Sequence, residues 1–156
     1  MMYDSFKISD KLNNKEYNMT RHYHNNGELR IERYLINGKL HREGYPAIIE
    51  YDWSGRVFNE KYYINDKIHR DDGPARIEYR EDGTILSEEY YANGKLHREG
   101  GPAYIEYLNG KQISYERYFM AGKPHREGGP ATIEYAKSGK FIYEVYYIDG
   151  EEVDNV

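Results

Sequence analysis

The sequence predicts an all-β protein: tandem β-hairpins laid side by side in one elongated, twisted antiparallel sheet. Three observations lead there. First, the chain repeats itself with a period of 28 residues. His41, His69, His97 and His125 keep that step, as do Pro46, Pro74, Pro102 and Pro130, and Gly38, Asp66, Gly94, Gly122 and Gly150. A fixed period of this size means stacked supersecondary units. Second, each unit holds two segments rich in β-branched and aromatic residues, separated by a Gly-containing turn. Third, the second segment ends in a tight-turn dipeptide, Asn37-Gly38 or Asn93-Gly94, whose residues both tolerate positive φ. No stretch has helical periodicity. A β-helix with one coil per unit is the alternative; the Asn-Gly turns favour hairpins, which need no long crossover.

Residues 6–33 read as a worn first unit and a cap. Phe6 falls at the position of Tyr34, Asp10 at that of Gly38, and Lys11-Leu12 at that of Lys39-Leu40. Asn13 replaces the His and Asn18 the Pro, whereas Tyr23, Gly27, Leu29 and Glu32 match. Terminal repeats are often atypical because one side has no neighbour. Four full units follow at 34–61, 62–89, 90–117 and 118–145, and a partial one occupies 146–156, so the whole chain is read as one repeat domain. Its Glu151-Glu152-Val153-Asp154 is acidic, which should discourage a further strand from pairing there.

Within a unit the first strand is Pro46–Tyr51, proline being tolerated at a strand's start. The turn Asp52-Trp53-Ser54-Gly55 follows, with Gly83 and Gly139 in phase and Gly110 one residue early, which implies a different turn there. The second strand is Val57–Ile64. Alternation puts Ala47, Ile49 and Tyr51 on one side, with Glu60, Tyr62 and Ile64 on one side of the partner strand. The positions of Ile48 and Lys61 vary between units, so the opposite face is expected to be variable and wetter. Two strands per unit give a rise of about 10 Å per unit, and strand sterics impose a twist.

Composition narrows the function classes. Leu, Ile, Val and Phe total 29 of 156 residues, too few for a thick core, but there are 19 tyrosines. A Tyr ring buries apolar area and keeps its hydroxyl hydrogen-bonded, which suits a thin, half-covered structure. The net charge of −5 disfavours general nucleic-acid binding. The absence of cysteine removes disulfides and thiolate metal sites and fits a reducing, intracellular compartment. There is no apolar leader at the N-terminus and no run of membrane-spanning length.

The pattern Tyr90-x-x-Asn93-Gly94-Lys95-x-His97, then Gly, then Ile105-Glu106-Tyr107 and a turn Gly, resembles the MORN repeat family over about residues 34–150 and, in worn form, 6–33. The unit is longer than the usual one, and its His-Arg-Glu-Gly-Gly-Pro-Ala segment is similar to variants in predicted proteins of large DNA viruses and some bacteria. The resemblance implies tandem hairpins and a role in scaffolding, dimerisation or membrane-proximal anchoring. The expected setting is intracellular and cytoplasmic (virion or infected-host cytoplasm, if viral).

The candidate site is a rim of recurring loop residues: Lys39, His41 and Arg42, then Lys67, His69 and Arg70, Lys95, His97 and Arg98, and Lys123, His125 and Arg126. Stacking the units would line these up as an edge for a protein partner or for anionic lipid such as a phosphoinositide headgroup. Acids follow each Arg (Glu43, Asp71, Glu99, Glu127, with Asp72), so the rim also reads as a self-compensating charge ladder. A shared metal is excluded by the roughly 10 Å between units, far beyond zinc–ligand distances. Each His is therefore expected to donate to a backbone carbonyl. His22 and His24 share a strand face but have no Cys support. The Glu columns (Glu50, Glu78, Glu106, Glu134 and Glu32, Glu60, Glu88, Glu116, Glu144) repeat too evenly for the single asymmetric pocket that acid–base catalysis needs, and tyrosine hydroxyls on the same face can satisfy them. The reading is a non-enzymatic scaffold or protein–protein interaction module without a cofactor, self-associating through sheet edges or tyrosine surface, with peripheral membrane binding through the rim as the alternative.

Overall fold

The computed structural model describes residues 2–10 and 14–154. Lys11, Leu12 and Asn13, read against Lys39, Leu40 and His41, lie outside the described residues, as do Asn155 and Val156. The described chain is all-β without a helix, and its centre is one 13-stranded open sheet. From one edge the strands run Tyr3–Asp10, Lys15–Tyr23, Leu29–Ile36, Ile48–Tyr51, Val57–Lys61, Arg76–Tyr79, Ile85–Glu89, Tyr104–Tyr107, Ile113–Arg117, Thr132–Tyr135 and Phe141–Ile148. Glu151–Val153 pairs with the end of the last strand and Lys39–Leu40 with the end of the third. Each strand is antiparallel to its neighbours, as a meander of hairpins requires. At about 4.8 Å per strand, the eleven in the main path span roughly 50 Å.

Three small two-stranded ladders stand beside the sheet: Tyr63–Ile64 with Lys67–Ile68, Tyr91–Ala92 with Lys95–Leu96, and Phe119–Met120 with Lys123–Pro124. The strand expected over Val57–Ile64 is therefore broken at Tyr62. Its N–H bonds the carbonyl of Ala75 at 2.8 Å and its carbonyl accepts from His69 N at 3.0 Å, so the chain leaves the sheet and folds back. The tight turns behave as their residues dictate. Asn37, Asn65, Asn93, Ala121 and Asp149 all sit at φ of 50–52°, each followed by a second positive-φ residue. That is the geometry that matches strand twist in a two-residue hairpin. Gly110 lies one residue early in a turn still closed by Leu108 N–H to Gln112 O at 2.7 Å, but held by the Asn109 side chain, which accepts from Lys111 N and Gln112 N.

Burial corrects the expectation of a wet second face. Ile48 and Thr132, placed on that face, are buried, and Arg76 and Tyr104 between them are half-buried. Strands this close let long side chains lie across their neighbours. The Arg76 guanidinium spans Glu89 at 2.8 Å and also meets Glu78, while Glu50 accepts from Asn59 and Lys61, each at 2.8 Å. On the other face Ile77, Ile105 and Ile133 alternate across the strands with the Glu column. The alanines before the first strands, Ala47, Ala75, Ala103 and Ala131, are fully buried. The largest apolar cluster is at the N-terminal end, where Tyr17, Met19 and Tyr34 pack with Ile8, Ile36 and Ile49.

Candidate functional site

The rim residues do come into line, but as fasteners. Each arginine lies over the tyrosine eight residues before it: Arg42 is 3.7 Å from the Tyr34 ring centre, Arg70 4.1 Å from Tyr62, Arg98 3.8 Å from Tyr90 and Arg126 3.9 Å from Tyr118. The same guanidinium donates to the carbonyl of the proline four residues on, at 3.3, 3.4, 3.2 and 3.1 Å. A planar cation can stack and donate at once, and each stack is worth roughly 0.5–2 kcal/mol. The loop is thereby folded onto the face of its own unit.

The histidines join one unit to the next. His41, His69, His97 and His125 each accept, through Nδ1, the backbone N–H of the first turn residue of the following unit: Asn65, Asn93, Ala121 and Asp149, at 3.1–3.3 Å. This reverses the expected donation to a carbonyl, because a turn residue at positive φ aims its N–H at the ring. The preceding turn's carbonyls complete the join: Asp66 N bonds Leu40 O, Gly94 N bonds Ile68 O, Gly122 N bonds Leu96 O and Gly150 N bonds Pro124 O, at 2.8–2.9 Å. Where Asp66 stands in a Gly position, its carboxylate also accepts from Leu40 N at 2.7 Å. Lys39, Lys67, Lys95 and Lys123 remain exposed.

The expected charge ladder forms only in part, most fully in the loop of the second full unit. Arg70 pairs with Asp72 at 2.8 Å and His69 lies 3.2 Å from Asp71, while Lys15 with Glu43 joins the first unit to the second.

The Glu column is held by tyrosines, as the shared face allows: Tyr34 and Tyr146, two residues on, donate to Glu32 at 3.4 Å and Glu144 at 3.2 Å, and the shorter bonds come from tyrosines 19 residues further on. Tyr51 donates to Glu32 at 3.0 Å, and Tyr79 to Glu60, Tyr107 to Glu88 and Tyr135 to Glu116 at 2.8 Å. Burial, then the carboxylate it serves, pushes the Tyr135 hydroxyl up to about 12, and the same causes raise Tyr51, Tyr79 and Tyr107. These carboxylates are anchors between strands. Among the described residues no three His, Asp or Glu side chains converge as metal ligands, and no helix is long and apolar enough to cross a membrane.

Two features break the repetition. The strand Phe141–Ile148 is paired on one side by Thr132–Tyr135 through residues 141–145, and on the other by Glu151–Val153 through 146–148. The acidic segment, expected only to discourage pairing, forms the strand that Lys123–Pro124 forms one period earlier, lying on Tyr147–Ile148 as Lys123–Pro124 lies on Phe119–Met120. Among the described residues no strand pairs with the outer edge of Tyr143, Glu144 and Val145. Their equivalents Asn59, Glu60 and Lys61 pair with Glu78, Ile77 and Arg76 of the next unit. Phe141, Ile142 and Tyr143 are 68, 64 and 55% exposed. The second feature is a groove of about 860 Å³ near the N-terminal end, lined by His22, Arg30, Arg33, Tyr51, Trp53 and Phe58 among others. Trp53, Arg30 and Phe58 were not among the expected site residues; their signal is departure from the period rather than agreement with it.

The fold and these joints define a tandem-hairpin repeat protein. Comparison with models of known protein families, with characterised proteins and with solved structures found no match.

Proposed function

We propose that the protein is a non-enzymatic, self-associating scaffold, a MORN-like repeat array whose C-terminal edge takes a second copy of the chain by strand addition. The carrying observation is the open edge at Tyr143, Glu144 and Val145 beside exposed Phe141 and Ile142. Unpaired strand edges with apolar flanks are templates for pairing. At the equivalent place in earlier units the edge is filled by a strand of the form Xaa-Ile-Glu-Tyr. Antiparallel pairing of two chains centred on Tyr143 sets Glu144 against Ile142 rather than against its own counterpart, which avoids facing like charges. Such a contact is isologous and closes as a dimer.

Sedimentation equilibrium tests this. A dimer is expected, and Phe141→Lys with Ile142→Lys, both at exposed positions, should return it to monomer. A wild-type monomer at all concentrations would overturn the reading, and an open-ended series of oligomers would point instead to head-to-tail pairing with the Tyr3–Asp10 edge. The lipid reading retains less support, because the four arginines are engaged by tyrosine rings and proline carbonyls. The exposed lysine column is what would carry it; pelleting with anionic vesicles, insensitive to Lys39, Lys67, Lys95 and Lys123 replacement, would remove it.

A further inference from the structure

The repeats serve as their own control: a side chain that departs from its column, in a place where other departures gather, needs a reason the architecture does not supply. Three such departures line the groove near the N-terminal end. His22 stands where the other units have Glu50, Glu78, Glu106 and Glu134. Arg30 stands where they have Phe58, Leu86, Ser114 and Ile142. Trp53, the only tryptophan, stands where they have Asn25, Glu81, Asn109 and Lys137. The column that is acidic elsewhere is thus basic here, and a large flat ring overhangs it.

The geometry points to a binding site for a nucleoside monophosphate, its base against Trp53 and Phe58 and its phosphate at Arg30 and Arg33. The cations are free for it: Arg30 and Arg33 have no hydrogen bond or ion pair within the described residues, and Arg30 is exposed. The two acids of the lining are already neutralised, Glu50 by Lys61 at 2.8 Å and Asp52 by Arg56 at 2.9 Å. The aromatic wall is set in advance. Trp53 is stacked on His24 with ring centres 4.1 Å apart, its carbonyl accepts from Asn26 Nδ2 at 3.2 Å, and His24 Nε2 meets Tyr51 O at 3.0 Å. Yet the indole remains 63% exposed and Phe58 41%. A fixed, exposed aromatic face beside unpaired guanidinium groups is what recognition of a base and a phosphate requires. The groove is a single station. Beyond it the same face presents Glu78, Glu106 and Glu134, so a polyanionic strand laid along the sheet would meet carboxylates, and a mononucleotide is the better fit.

Trp53, as the sole tryptophan, reports on the groove directly. Titration with AMP should quench its fluorescence saturably, with affinity at least about tenfold better than adenosine or inorganic phosphate alone, since each lacks half of the contacts. Arg30→Ala, at an exposed position, and Arg30→Ala with Arg33→Ala should weaken AMP by a further about tenfold or more while the circular dichroism stays that of wild type. Calorimetric titration of Trp53→Phe with AMP should show retained but weaker binding, because the smaller ring stacks less well. No saturable quenching by AMP, equal response to AMP and adenosine, or an unchanged affinity in the double arginine variant would each overturn the assignment.

Discussion

The two ends of the sheet are built differently from the same repeat. At the N-terminal end, with three long strands, Tyr3–Asp10, Lys15–Tyr23 and Leu29–Ile36, the residues Tyr17, Met19 and Tyr34 pack into an apolar cluster. At the C-terminal end Phe141, Ile142 and Tyr143 meet solvent, and the edge beyond Tyr143 is unpaired. The joints disappear in step. His125 still accepts from Asp149 N, but Val153 holds the next His position and Asp154 the next Arg position, so Tyr146 has no guanidinium over it. Among the described residues both ends present an unpaired outer strand, but the N-terminal one backs onto the apolar cluster whereas the C-terminal one is flanked by the exposed run Phe141, Ile142 and Tyr143. A quasi-one-dimensional array needs its ends covered to stay soluble and single, so an uncovered apolar end is a place for association.

The largest effect should separate these ends. Tyr17→Ala, at 1% exposure, should cost about 3–5 kcal/mol in urea unfolding, as for other large aromatic truncations in a core. Phe141→Ala should change the monomer's stability by no more than about 0.5 kcal/mol. Equal costs would erase the distinction. Next comes alkali. Tyr135 and Tyr104 are pushed up to about 12, by burial first and then by Glu116 and Glu106. A raised folded value means that the fold prefers the neutral hydroxyl. Its stabilisation is therefore complete below the ordinary tyrosine value near 10 and is lost as pH climbs from there through about 12. Absorbance of tyrosinate and circular dichroism should change together in that window; tyrosines ionising near pH 10 with the fold intact would contradict the Tyr–Glu anchors.

Smaller effects test the joints between the ends. His97→Ala leaves the Ala121 N–H without its acceptor and should cost roughly 1–2 kcal/mol. The same change at His125, whose partner Asp149 lies in the last turn with no further unit stacked on it among the described residues, should cost less. Smallest is a gain: Ala121 is held at φ 51°, and Ala121→Asn should stabilise by about 0.5–1 kcal/mol, because Asn tolerates that region better. Thermal melts of both variants would check the order.

Much of this fold was legible because repetition multiplies each signal. The Asn-Gly turns, the proline step and the Ile-Glu-Tyr segments each mark one element, and the hairpin array follows. The break at Tyr62 was not legible. Val57–Ile64 reads as one continuous β-rich run, and only the competition of Ala75 O and His69 N for the Tyr62 backbone ends it. The second face was misread for a related reason. Variable residues suggested solvent, whereas Arg76, Glu78 and Glu89 cover one another. The site residues were found as columns but assigned to outside ligands, since a sequence does not show that Arg98 lies over Tyr90 or that His97 reaches Ala121. The groove at Trp53 went unread because it is visible only when departures from the period are brought together in space.

The most direct test of the account is residue-resolved hydrogen–deuterium exchange at low and high protein concentration. Within Tyr143–Val145 the amide of Glu144, which strand alternation turns away from Thr132–Tyr135, should gain protection as concentration rises, while those of the Tyr3–Asp10 edge stay unchanged. Protection at Glu144 that does not depend on concentration, or gains confined to the N-terminal edge, would contradict an open end built to take a second chain.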